Sequence, residues 1–264
     1  MLRRMDDGPA TRPAKSGLGP EPAREDRFRR SIRRVLPWLL PLYLALVLLP
    51  VQYRETKALM VLGAFALWAA ALFLWWPRRW VRFALLGVAA TAVVLVALPG
   101  RAPDPAALRT DYRRGLSVYG DARYVWGGES PIGVDCSGLV REGLVLGEFL
   151  NGVRTLNGTP IRDALSLWWH DASAQALGDG YMTQPLGRYD SVNDIPAGVA
   201  ATGDLAVTTD GVHVLVYVGE QTWMEADPSV GRVISEQVPS DNAWFKTPVV
   251  LVRWDVLAGE DGGT

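Results

Sequence analysis

Three apolar runs stand in tandem near the start of this chain, at residues 35–51, 58–76 and 80–98, and nothing else in the sequence restricts its fold as strongly. A helix needs about 20 apolar residues to cross a bilayer core. The second run reaches that length comfortably. The first is short and carries Pro37, Pro41 and Pro50, while the third tolerates Arg82 near its end by snorkelling. The runs are apolar on all sides, which does not suit an amphipathic helix on a soluble core. A cleaved signal peptide is also a poor match, because the runs are several and the first starts late. The sequence therefore predicts three transmembrane helices over 35–98.

Charge sets their direction. Arg24, Arg27, Arg29, Arg30, Arg33 and Arg34 precede the first run, and Arg78, Arg79 and Arg82 lie between the second and third. The 52–57 loop is nearly balanced, with Arg54 and Lys57 against Glu55. The positive-inside rule keeps the arginine-rich ends in the cytoplasm, so three crossings put everything after residue 98 outside the cytoplasmic membrane. Loss of the first span would reverse that side. Trp38, Trp75, Trp76 and Trp80 near the run ends suit interfacial anchoring. Residues 1–34 read as a disordered, basic cytoplasmic tail. Residues 99–109 form a short stiff linker, 110–257 a separate mixed domain, and the end from Ala258 onward a loose tail.

That domain holds the chain's one cysteine, Cys136, in Val134-Asp-Cys-Ser-Gly-Leu-Val140, shortly after Tyr124-Val-Trp-Gly-Gly128. A lone cysteine forms no internal disulfide, so it is an inert core residue or a reactive thiol. At a helix start, the dipole and unpaired N–H groups favour the thiolate. Of the two histidines, His213 lies in Gly211-Val-His-Val-Leu-Val-Tyr-Val-Gly219, which reads as a strand paired with 202–208. His170 lies in a helix predicted from Thr159 as cap and Pro160 through Leu177, and reads as structural. After Gly219 a short antiparallel strand carries Glu225 and Asp227 on one face. Either carboxylate can accept the Nδ1–H of His213 and stabilise its cation, and Glu225 is favoured; a carboxylate facing solvent is the other reading.

These blocks, in this order, resemble the NlpC/P60 family of cell-wall cysteine peptidases over roughly residues 110–254. The resemblance implies an α+β, papain-like core with the nucleophile helix packed on an antiparallel sheet. It implies Cys136 as nucleophile, His213 as general base and acid, and Glu225 at the third position, where the family usually has His, Asn or Gln. It further implies Tyr124 beside the thiol, and Asp135 and Ser137 in contact with substrate. The link at 151–201 is longer than usual and carries Trp168-Trp169 and a loop at 178–189; it reads as a lid, a partner surface or extra core.

No Cys or His spacing suggests a metal, Gly127-Gly128 lacks a following phosphate-binding Lys-Ser/Thr, and the formal net charge of −1 points to no nucleic-acid partner. No cofactor is expected. The expected activity is a membrane-anchored endopeptidase acting on peptidoglycan stem peptides through a Cys–His–polar triad, restrained by the insertion or by a membrane partner. An amidase or acyl transferase on another substrate, and a catalytically silent wall-binding scaffold, are the alternatives.

Overall fold

A computed structural model describes residues 24–259. The expectation for residues 1–23, and for 260–264 in the loose tail, lies outside the described residues. Three helices come first: α1 (Arg24–Val47), α2 (Arg54–Trp75) and α3 (Arg79–Ala97). Helix α1 starts well ahead of the apolar run, so 24–34 is helical rather than part of a disordered tail. Phe28 meets Phe73 edge-on and Tyr43 stands against Gly63, which makes α1 and α2 an antiparallel pair. Trp68 Nε1 donates to the Leu85 carbonyl, and Arg82 lies over the Trp76 ring, so α3 runs back along α2. Among the described residues, α2 and α3 are the two helices long and apolar enough to cross a membrane. The expected first span is not among them, because arginines fill the first half of α1 and Pro37 and Pro41 lie inside it.

The remaining elements form an α+β unit. Helix α4 (Pro105–Ser117) is capped by Asp104, whose carboxylate accepts the Ala106 and Ala107 N–H groups, with Pro105 preset for the first turn. It packs on α5 (Cys136–Thr155) so closely that a Cβ at Gly115 would stand 2.1 Å from the Gly143 carbonyl oxygen. A mixed, mostly antiparallel sheet follows: β1 (Arg123–Tyr124), β2 (Glu129–Ser130), β3 (Gly133–Val134), β4 (Thr183–Tyr189), β5 (Leu205–Thr208), β6 (Val214–Gly219), β7 (Thr222–Asp227), β8 (Arg232–Gln237) and β9 (Val249–Trp254). Its order is β2-β3-β1-β8-β7-β6-β5-β9-β4. Alternation along β5 to β7 sends Leu205, Val207, Val214, Val216, Met224 and Ala226 towards the helices and Ala206, Leu215 and Trp223 into a second cluster with Phe245 and Leu251. Asp204, just before β5, is fully buried and accepts Arg253 Nε and Nη2 at 2.7 Å each.

The 151–201 segment departs from expectation in two places. The helix predicted to run to Leu177 stops earlier: α6 (Gly158–Trp169), capped by Asn157 rather than Thr159, ends at His170, and Ser173 caps a separate short α7 (Ala174–Gly178). The 178–189 stretch, expected as a loop, contains β4, an edge strand paired antiparallel to β9. An edge accommodates its Pro185, and the register shifts between Pro185 and Gly187.

Candidate active site

Cys136 occupies the first position of α5 because Asp135 stops the extended chain and caps the helix. Asp135 Oδ1 accepts the Gly138 N–H at 2.6 Å and the Ser137 hydroxyl at 3.0 Å, while Oδ2 accepts the Gly127 N–H at 2.8 Å. The Asp135 N–H in turn donates to the Gly128 carbonyl at 3.1 Å. A Cβ at position 138 would lie 2.2 Å from that same carbonyl oxygen, so only glycine lets the helix start this near the Gly127–Gly128 segment. Both oxygens of Asp135, and the Ser137 hydroxyl, are thus engaged in holding the cap.

The Cys136 side chain is 6% exposed. Burial pushes its thiol up to about 12, with Asp135 adding to the rise, while the N–H groups of Val214, Ser137 and Cys136 itself pull in the other direction. The helix start therefore does not by itself yield a thiolate: desolvation outweighs the local dipole. Sγ lies 3.8 Å from the Val212 carbonyl oxygen. Tyr124, in β1, is near enough that Cys136 and Asp135 help burial raise its phenol to about 12.

His213 sits one residue before β6 rather than inside it. The Thr208 hydroxyl oxygen accepts its N–H at 2.9 Å, and the Thr208 N–H donates to its carbonyl at 3.0 Å, fixing the backbone where the strand begins. The register of β6 with β7, Val216 opposite Met224, sets Glu225 diagonally across from His213. His213 Nε2 and Glu225 Oε2 are 2.5 Å apart, with both side chains buried. The sequence assigned this contact to Nδ1; the structure uses Nε2, and among the described residues Nδ1 makes no hydrogen bond. Burial raises the Glu225 carboxyl, and the bond from His213 opposes that rise. Asp227 is turned elsewhere: burial pushes it up, but hydrogen bonds from Ser229, Asn242 and Val230 outweigh this and hold it below the usual carboxylate range.

Two residues that the sequence did not signal complete the arrangement. Asn242 Nδ2 donates to Glu225 Oε1 and to Asp227 Oδ2, both at 3.0 Å, and its Oδ1 accepts the Trp244 N–H at 3.0 Å. The Trp244 indole stacks on the imidazole with centroids 4.1 Å apart and planes 20° from parallel. They come from an irregular segment without periodicity, so position along the chain carried no clue. His213 and Glu225 thus lie on the Trp244 side of the sheet, and Cys136 belongs to the helix-side cluster. The sulfur abuts the main chain on either side of His213, at the Val212 carbonyl and the Val214 N–H. Among the described residues, no hydrogen bond joins the sulfur to the ring. His170 bonds through Nδ1 to the Ser166 carbonyl of its own helix, and its carbonyl accepts Arg141, a structural placement.

The NlpC/P60 family model matches residues 121–253. Among solved structures, NlpC1 from Trichomonas vaginalis is similar at 19% identity and TM-score 0.35, over 54% of this chain and 43% of that one. The NlpC/p60 domain of peptidoglycan hydrolase SagA is similar at 22% identity and TM-score 0.33, over 56% and 97%. An NlpC/P60 family protein from Bacillus cereus is similar at 14% identity and TM-score 0.36, over 58% and 41%. The chain thus spans under half the length of the Trichomonas and Bacillus proteins it matches. A comparison with curated proteins gave no match. Members of the matched family are typically peptidoglycan-hydrolysing cysteine peptidases. The family match covers half of the chain and takes in Cys136, His213 and Glu225: the chain belongs to the NlpC/P60 family.

Proposed function

We propose that this chain is a membrane-anchored cysteine hydrolase that cleaves amide bonds in peptidoglycan stem peptides as an endopeptidase. The observation that carries this is the buried 2.5 Å contact of His213 Nε2 with Glu225 Oε2, which leaves Nδ1 without a hydrogen bond among the described residues while the Cys136 sulfur lies against the main chain next to His213. In this reading the Cys136 thiol and His213 Nδ1 act as a pair. As Sγ bonds to the substrate carbonyl carbon, its proton passes to Nδ1, and Glu225 stabilises the resulting imidazolium. The carbonyl oxygen gathers charge and takes the Cys136 N–H at the helix start, with the Tyr124 hydroxyl beside it. The tetrahedral intermediate collapses by breaking the C–N bond, and the departing amine takes the proton from Nδ1. Water, deprotonated by Nδ1, then attacks the thioester and releases the acid and the thiol. Asp135 and Ser137 serve substrate binding by fixing the wall of the cleft.

The division we favour is 35–98 as membrane region, 99–109 as linker and 110–257 as catalytic domain. Its support is a separation of charge by position. The arginines of early α1 and those at Arg78, Arg79 and Arg82 gather at one end of the helices, and the domain meets the other end. That pattern fits a basic cytoplasmic end and a catalytic domain on the wall side. The short apolar part of α1 then crosses with help from α2, against which it packs.

The test uses the full chain in detergent. Wild type and Cys136→Ala are incubated with peptidoglycan, and fragments are read by mass spectrometry. Cleavage by wild type alone is expected; equal cleavage by both removes Cys136 from the chemistry. For topology, Val230→Cys in a Cys136→Ala background, at an exposed turn, is labelled with an impermeant maleimide. Labelling only after the cytoplasmic membrane is opened would reverse the proposed orientation.

A further inference from the structure

The loop between α1 and α2 is built into the segment that approaches the thiol. Val51 forms an isolated antiparallel bridge with Gly128, and the Glu129 N–H donates to the Pro50 carbonyl at 2.8 Å. Lys57, in the first turn of α2, is 1% exposed. Its Nζ lies 2.6 Å from Glu129 Oε2 and donates to the Trp168 carbonyl at 2.6 Å. The other Glu129 oxygen is 2.5 Å from Arg141 Nη2, and Arg141 Nη1 reaches Asp171 at 3.0 Å. A buried ammonium is costly unless paired and hydrogen-bonded. A lysine that merely opened a helix would keep its charge in water; this one is enclosed by the catalytic domain.

From Glu129 the path to the thiol is short. Gly128 precedes it in the chain and accepts the Asp135 N–H through its carbonyl, while Gly127 donates to Asp135 Oδ2. Asp135 is the cap that places Cys136. Helix α6, the first helix of the long insertion, supplies the matching seat. Besides Trp168, it carries Arg162, which donates to the Val96 and Leu98 carbonyls at 2.9 and 3.0 Å, and Gly158, whose N–H donates to the Pro99 carbonyl at 3.0 Å.

We propose that Lys57 is a positioning residue of the active site: acting through Glu129 and the Gly127–Gly128 segment, the seated α1–α2 hairpin sets the Asp135 cap and with it the direction of the Cys136 thiol. This rests on the reading of Cys136 as the nucleophile. It also gives the insertion a use, as the receiving surface for the chain's own helical hairpin.

The experiment compares full-length wild type, Lys57→Met, Lys57→Arg and Lys57→Met/Glu129→Gln in detergent micelles, reading amide hydrogen exchange and hydrolysis of a synthetic stem peptide. In Lys57→Met, exchange at the Gly127, Gly128 and Asp135 amides should rise about tenfold while amides of β5, β6 and β9 stay within about twofold. The turnover number should fall about tenfold with KM within about twofold, the split expected of a misaimed group rather than a lost binding contact. Lys57→Arg, which keeps the cation, should recover most of the turnover. Exchange and turnover both within about twofold of wild type in Lys57→Met would overturn the proposal, as would an equal loss in Lys57→Arg. Should Lys57→Met fail to fold, the double variant, which strands no buried carboxylate at 129, is held to the same criteria. Exchange is read without substrate, so a wild-type chain inert on stem peptides would defeat the functional reading and still decide this one.

Discussion

Replacing Glu225 by glutamine changes one atom and one charge, and the structure dictates why the amide cannot settle. Asn242 is locked, its Oδ1 receiving the Trp244 N–H and its Nδ2 shared between Glu225 and Asp227. If the new amide oxygen faces His213 Nε2, the amide nitrogen meets Asn242 Nδ2 donor to donor. If it flips, it donates to Nε2 and drives the imidazole proton onto Nδ1, the nitrogen that accepts from the thiol in the proposed mechanism. A charge-assisted hydrogen bond contributes about 1.5–3 kcal/mol, and a stranded buried donor costs about 1–3 kcal/mol. Together they give about 3–5 kcal/mol, which converts to roughly a 10²- to 10⁴-fold fall in kcat/KM. The assay is hydrolysis of a synthetic stem peptide by full-length chain in detergent, with substrate varied to obtain kcat/KM. Adding Asn242→Ala removes the opposing donor and should return about tenfold. Activity of Glu225→Gln within about threefold of wild type would refute the reasoning, since imidazole orientation would then not depend on the carboxylate.

Three further outcomes follow from burial. Burial raises the Glu142 carboxyl to about 7 against the pull of Arg141. The folded state therefore binds its proton more tightly than the unfolded chain. Its contribution of about 3 kcal/mol is complete below about pH 4.5 and lost as pH rises through about 7; Glu142→Gln should flatten the melting temperature between pH 5 and 8, and an unchanged pH slope would contradict this. Asp204→Ala leaves Arg253 and Arg109 facing an empty buried site and should cost about 3–5 kcal/mol in denaturant unfolding, with a loss under about 1 kcal/mol counting against it. The Cys136 thiol, held up to about 12 by burial, should be alkylated about tenfold faster per pH unit from pH 6 to 9; a plateau below pH 7 would reveal a resting thiolate–imidazolium pair instead.

Much of the site was legible because its parts lie on elements with a strong local signal. The β-branched run after His213 announces a strand, Gly219 ends it, and the next short run carries Glu225 on the adjoining strand. Asp135 before Cys136 is an ordinary helix cap and reads as one. What the sequence hid depends on contacts between distant segments. Whether Nδ1 or Nε2 meets Glu225 depends on how the ring packs, here stacked on the Trp244 indole, and Asn242 and Trp244 come from a stretch with no periodic pattern. Helix α6 stops at His170 although its apolar spacing continues, because Ser173 offers a new cap. Edge strand β4 was disguised by Pro185 and Gly187, residues that only an edge tolerates. Lys57 looked like a loop charge balanced by Glu55; its partner, Glu129, is far off in sequence.

The two seats, at 50–57 and at 96–101, fix the angle of the domain as well as its distance. A catalytic unit on a free leash would sweep a hemisphere and meet strands at many heights. Under the membrane anchoring proposed above, a domain clasped twice would present its opening at a single elevation and tilt, and its working radius would equal its own body. Lengthening residues 99–109 would add slack without adding reach for as long as Lys57 stays in its seat.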